Sequence, residues 1–206
     1  MKRQSPLRQA IAGGAIAIAA LTAGAAPARA QYAVFDTDAA LQVFHERVES
    51  YAALHRRLAP PVSTMTSTDP LSKLLTRQYL ASAVRSARRY AQQGEIFSPE
   101  IATLFRWMLA DSIGEIEGEG FLTALNGGVP VPRGLHPTVN ETYTMLPLYR
   151  IPPDLRLGMP KLPAELDYRL AGHDLVLWDI YAGIVVDFVP DSRDVAHRDE
   201  LAAGIS

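Results

Sequence analysis

The chain has no cysteine among its 206 residues. That absence excludes disulfides, Cys-ligated zinc, iron–sulfur clusters and thiol nucleophiles. It also excludes a lipid anchor built on a cleavage-site cysteine. Motifs of catalysis are missing too. No His-Glu-x-x-His occurs, and neither Ser98 nor Ser112 sits in a Gly-x-Ser-x-Gly context. Gly118, Gly120 and Gly127-Gly128 do not make a phosphate loop. His45 and His55 lie ten residues apart on one helical pattern, too far to share a metal directly.

A long, strongly apolar run is also absent. The stretch from Ala10 to Ala26 is about 17 residues and mostly Ala and Gly, short of the roughly 20 apolar residues of a spanning helix. Lys2, Arg3 and Arg8 precede it, and Pro27-Ala28-Arg29-Ala30 closes it with a small-x-small site. This pattern predicts a signal peptide over residues 1–30, cleaved near Ala30. The expected product is soluble, periplasmic or secreted, and without a membrane anchor. Removing residues 1–30 takes away four basic residues and no acidic one, leaving 16 basic against 22 acidic, a formal net charge of −6. Such a balance argues against nucleic acid and against anionic lipid. No twin-arginine pair lies near the start, so export in the unfolded state is expected, with no cofactor loaded beforehand.

Residues 31–128 read as a helical region. From Asp36 to Leu58, Leu41, Phe44, Val48, Tyr51, Leu54 and Leu58 recur at steps of three and four. Asp36 to Asp38 can cap this helix, and Pro60-Pro61 ends it. Residues 63–68 read as a loop. Asp69-Pro70 then opens a second helix, closed by Gly94. Its expected buried stripe is Leu71, Leu74, Leu75, Ala81, Val84, Ala87 and Ala91. Ser98-Pro99-Glu100 opens a third, with weak helical pattern resuming through Phe121 and Leu125. Three such helices suggest a small bundle.

Residues 129–163 carry eight prolines, which forbids a long helix or a central strand. Apolar residues are interleaved with them, so an ordered extended segment lying over the bundle is expected. Residues 164–190 read as a three-stranded antiparallel β-meander, and 191–206 as a polar tail. The fold class is therefore α+β. Gly172-His173 suits a two-residue turn with glycine first, and His173 is expected in solvent. Ala182-Gly183 is read as the second turn. Two such turns set Leu170 opposite Leu175, Tyr168 opposite Leu177 and Leu166 opposite Asp179. They also set Tyr181 opposite Ile184, Asp179 opposite Val186 and Leu177 opposite Phe188.

Three stretches carry a resemblance: Arg89-Tyr90-Ala91-Gln92-Gln93-Gly94-Glu95-Ile96-Phe97-Ser98-Pro99-Glu100, Val139-Asn140, and Leu162-Pro163-Ala164-Glu165-Leu166-Asp167-Tyr168-Arg169-Leu170 through Val186-Asp187-Phe188-Val189. The chain resembles a widespread group of uncharacterised exported bacterial proteins. The resemblance implies a helical N-terminal part with a short β appendage. It brings no activity and no catalytic residues.

Asp179 and Asp187 are the candidate functional carboxylates. In the register above, Asp179 is the single carboxylate among nine apolar side chains on one face. It is either a residue of raised pKa or a cap on the backbone N–H groups of Tyr181 and Ala182. The same register puts Asp187 on the opposite face. A glycosidase-like pair would need a different turn and a cleft. Asp111, Glu115, Glu117 and Glu119 read as a solvated helix end pairing with Arg85, Arg88 or Arg89, not as a calcium loop. The better prospect for a partner is the outer face of the meander, with Trp178, Ile180 and Arg169; if the proline-rich segment wraps over Trp178 and Ile180, as its apolar residues favour, they are core instead. The reading is a non-catalytic binding or scaffolding protein of the cell envelope. Its partner is an envelope protein or a second copy at a free strand edge, and the alternative is a hydrolase using Asp179 and Asp187.

Overall fold

A computed structural model describes residues 36–61, 68–113, 134–144 and 147–192. The predicted signal peptide, the Glu115–Glu119 acidic stretch, the Ser63 loop, the glycines at 118–128 and His197 lie outside the described residues. The described chain belongs to one unit, Val34–Ser206. It is α+β: helices α1 (Thr37–Leu58), α2 (Pro70–Ala87), α3 (Pro99–Ile113) and α4 (Pro153–Leu157), and an antiparallel sheet. The strands are β1 (Leu148–Arg150), β2 (Leu166–Ala171), β3 (Asp174–Asp179) and β4 (Ile184–Val189), adjacent in chain order. No described helix is long and apolar enough to cross a membrane.

The helix starts follow local chemistry. Asp36 accepts from Ala39 N at 3.0 Å and Asp69 from Ser72 N at 2.7 Å, each meeting an otherwise unpaired first-turn donor. The second helix stops at Ala87, short of Gly94. Gly94 instead takes a left-handed turn (φ 90°) in the loop that follows. α2 buries only part of the expected stripe, Ala81 and Val84, together with Leu80. Leu80, Ala81 and Val84 are buried, whereas Leu71, Leu74, Leu75 and Tyr79 are 50–62% exposed. At 3.6 residues per turn the two apolar sets lie about 150° apart around the axis. Spacing of three and four holds within each set, so one stripe was read where there are two.

The sheet has four strands, one more than the meander. The extra strand is the proline-free run Leu148-Tyr149-Arg150, pairing with Ala171, Leu170 and Arg169 at the edge, where flanking prolines do no harm. The β2–β3 pairing sets Leu166, Tyr168 and Leu170 against Asp179, Leu177 and Leu175. Gly172 turns it at φ 60°. The β3–β4 pairing departs from expectation in two ways. Its loop has four residues, because Asp179 pairs with Ile184. Then a bulge follows: Trp178 pairs with Val185, but Leu177 pairs with Asp187. The extra residue, Val186, reverses the alternation beyond it. Asp187 and Val189 therefore face the helices, and Phe188 faces outward, the reverse of the two-residue-turn register.

The inner face packs on the helices through Leu166, Tyr168, Leu170, Leu175, Leu177, Ile184 and Val189, against Phe44, Val48, Val84, Phe97 and Phe105. The proline-rich segment divides its work. Val139, Tyr143 and Leu148 cover Val176, Val185 and Phe188 on the outer face. Ile151, Leu155 and Met159 join the main core.

Candidate functional site

Asp179 is buried and fully engaged. Its Oδ2 accepts from the Tyr51 hydroxyl at 2.7 Å and lies 2.6 Å from His55 Nδ1. Its Oδ1 accepts from Tyr181 N at 2.9 Å and Ala182 N at 2.7 Å. These last two bonds, with Gly183 N to Asp179 O at 2.9 Å, shape the four-residue loop. Burial, then the Asp179 charge, pushes the Tyr51 phenol far above its ordinary range, so it stays a neutral donor.

Asp187 is buried and engaged in the same manner. Gly94 N and Phe188 N donate to Oδ1 at 2.9 and 2.8 Å; Ile96 N and Phe97 N donate to Oδ2 at 2.7 and 2.8 Å. Burial pushes its pKa up and the four N–H groups pull it back, with a net upward shift. The bulge brings both aspartates to the helix-facing side, but each is sealed within its own set of donors. Neither lines the groove formed by Trp178, Ile180 and Arg169. The sequence weighs His55 only as a metal partner of His45; its pairing with Asp179 carries no spacing signal. It is buried, with Nε2 unpaired.

Trp178, Ile180 and Arg169 do come together. They line one groove of about 480 Å³ with Arg77, Arg150, Arg156, Asp167, Leu166, Pro163 and Ala164. Four arginines and a single carboxylate residue, Asp167, are among its lining residues. Asp167 lies 2.9 Å from Arg169 and 3.3 Å from Arg156. Among the described residues Arg77 and Arg150 have no ion-pair partner, and Arg169 Nε is buried without an acceptor. Trp178 is half-buried, one side packed on the outer cluster. Period two explains the assembly: Asp167 and Arg169 point to the outer face, and Trp178 pairs with Asp167 across the β2–β3 ladder. Arg150 pairs with Arg169 across β1–β2. Arg77 comes from α2, and Arg156 from α4. No spacing in the sequence connects these four arginines.

Strand edges are less open than the sequence suggests. β1 covers β2. Next to β4, Asn140 N donates to Val185 O at 2.7 Å and Val185 N to Glu141 O at 2.9 Å. Arg88 donates to Val186 O, and Gln93 to Phe188 O. His173 is buried, not solvated, and its carbonyl accepts from the Ser192 hydroxyl. Arg88 pairs with Glu95 at 2.7 Å and Arg85 reaches Glu141 at 3.8 Å.

Compared with family models, with curated proteins and with solved structures, the chain matches none.

Proposed function

We propose that this chain is an exported, non-catalytic binding protein of the cell envelope. Its site is the groove of Trp178, Ile180 and Arg169, and its ligand or partner presents anionic groups beside an apolar surface. The observation that carries this reading is the four-to-one excess of arginine over aspartate around an aromatic wall. Guanidinium groups without carboxylate partners favour bidentate binding of carboxylate or phosphate. The excess is local, since the chain as a whole is acidic. Export rests on the N-terminal charge, apolar stretch and Ala28/Ala30 site.

The hydrolase alternative is disfavoured by the engagement of both carboxylates. A general acid or base must reach its substrate, whereas Asp179 and Asp187 are both 0% exposed and each takes four donors.

Calorimetric titration with a polyglutamate peptide at low salt tests the reading. Saturable binding that weakens as salt rises is expected, with a loss of at least about tenfold in Arg150→Gln/Arg156→Gln. Both arginines are exposed, so the double variant keeps its fold. Binding that is absent, or unchanged in this variant, would overturn the proposal.

A further inference from the structure

We infer that His136, Asp174 and Asp191 form a binding site for one divalent transition-metal ion of the zinc class, separate from the arginine groove. One imidazole nitrogen and two carboxylate oxygens lie within 4.8 Å of one another, close enough for a single ion to hold all three. They come from three parts of the chain. His136 is on the segment that covers the outer face, Asp174 opens β3, and Asp191 follows the end of β4.

The three are held in place by their surroundings. Asp174 is buried; its Oδ2 lies 2.9 Å from His136 Nδ1 and its Oδ1 accepts from Asp191 N at 2.9 Å. The His136 ring stacks on Phe188 with centroids 6.2 Å apart, which sets the ring plane. The His136 side chain is 37% exposed, so an ion has a route in.

An ordinary His–Asp pair explains part of this arrangement, but not all of it. A second carboxylate, Asp191, has been brought beside Asp174, and its charge makes that of Asp174 costlier. Arg106 faces the same end; it donates to Pro190 O at 3.2 Å, and its charge offsets part of that of Asp191. A further observation concerns Tyr143. It is 8% exposed, and its hydroxyl is buried with no partner. It packs in the outer-face cluster with Phe188, the ring on which His136 stacks. A buried hydroxyl without a partner is costly, and water carried by a bound ion would provide one.

The donor set selects the ion. Imidazole suits zinc and its neighbours, while calcium and magnesium prefer sites made of oxygen alone. Three protein ligands leave a coordination position for water.

The test is zinc titration of the chelator-stripped full-length chain by calorimetry, with bound zinc counted after gel filtration. One zinc per chain is expected, undisturbed by equal calcium or magnesium. His136→Ala and Asp191→Asn should each weaken binding at least about tenfold, while His45→Ala, on an exposed helix position, should not. Asp191→Asn keeps the backbone bond to Asp174, so it reports on the ligand even if His136→Ala fails to fold. Absence of saturable binding would overturn the proposal, as would stoichiometric binding unchanged in Asp191→Asn.

Discussion

Replacing Asp187 by Asn tests whether this buried carboxylate is a structural clamp. Each of its oxygens accepts two backbone N–H bonds, from Gly94 and Phe188 on one side and from Ile96 and Phe97 on the other. Asn presents an acceptor to one pair and an NH2 donor to the other. Two charge-assisted bonds are lost, each worth roughly 1.5–3 kcal/mol, and two N–H groups are left unpaired. The neutral side chain recovers part of the cost of burying a charge, a cost visible as the raised pKa of Asp187. The net loss is about 2–4 kcal/mol, a large share of the roughly 5–15 kcal/mol that holds a domain together. Urea unfolding followed by Trp fluorescence measures it. With a slope of about 2 kcal/mol per molar, the midpoint should fall by about 1–2 M at unchanged slope. A fall worth less than about 0.5 kcal/mol would refute the clamp, because that is the size of an ordinary surface change.

Tyr51→Phe removes one of the four donors to Asp179 and should cost about 1–2 kcal/mol in the same assay. Asp179→Ala removes the acceptor of all four and should cost at least twice as much. Gly183 has φ 68°, and a Cβ there would lie 2.9 Å from Arg77 Cδ. Gly183→Ala should therefore cost about 1–2 kcal/mol through backbone strain, and polyglutamate binding should weaken as Arg77 is displaced. Glu165 is desolvated, which raises its pKa, but the bidentate Arg56 contact outweighs this and the net shift is downward. A depressed carboxylate stabilises the fold above its ordinary value of 4.5 and loses that contribution as pH falls through the lower folded value. Arg56→Gln lacks this contribution at neutral pH, so the wild type's advantage in melting temperature over the variant should shrink as pH falls from 6 to 3.

Much of the architecture follows from local rules. Asp36, Asp69-Pro70 and Ser98-Pro99 each precede a helix because capping is decided within four residues. Gly172-His173 sets the β2–β3 register because a two-residue turn leaves no freedom. The bulge at Val186 could not be read. It answers to the loop that Asp179 builds and to the Gly94–Phe97 donors, groups that are distant in sequence. The first half of the α2 stripe, Leu71, Leu74 and Leu75, failed for a related reason. Periodicity finds an apolar stripe but not the neighbour that covers it. For the candidate site, Trp178, Ile180 and Arg169 were legible as an outer-face patch, since alternation along strands is local. Arg77, Arg150 and Arg156 were not, because three separate elements deliver them.

The aspartates also bear on how a chain without cysteine stays folded. Asp179 joins β3 to Tyr51 and His55 across 128 and 124 residues, and Asp187 joins β4 to Gly94 across 93. These bonds tie the sheet to α1 and to the α2–α3 loop. Closing loops of this length is costly in entropy, though the cost grows only slowly with length. Each bond closes only when both ends are already packed, so sheet and helices depend on each other. Without the helices, buried carboxylates 179 and 187 would lack Tyr51, His55 and the N–H donors of residues 94–97, and their burial would be uncompensated. Unfolding of a Trp107→Phe variant, which leaves Trp178 as its one tryptophan, should then be a single transition, with Trp178 fluorescence from the sheet and far-ultraviolet circular dichroism from the helices changing at the same urea concentration. Separate midpoints, with the helices persisting after Trp178 is exposed, would show that the sheet is an independent appendage and that the two aspartates do not couple it to the bundle.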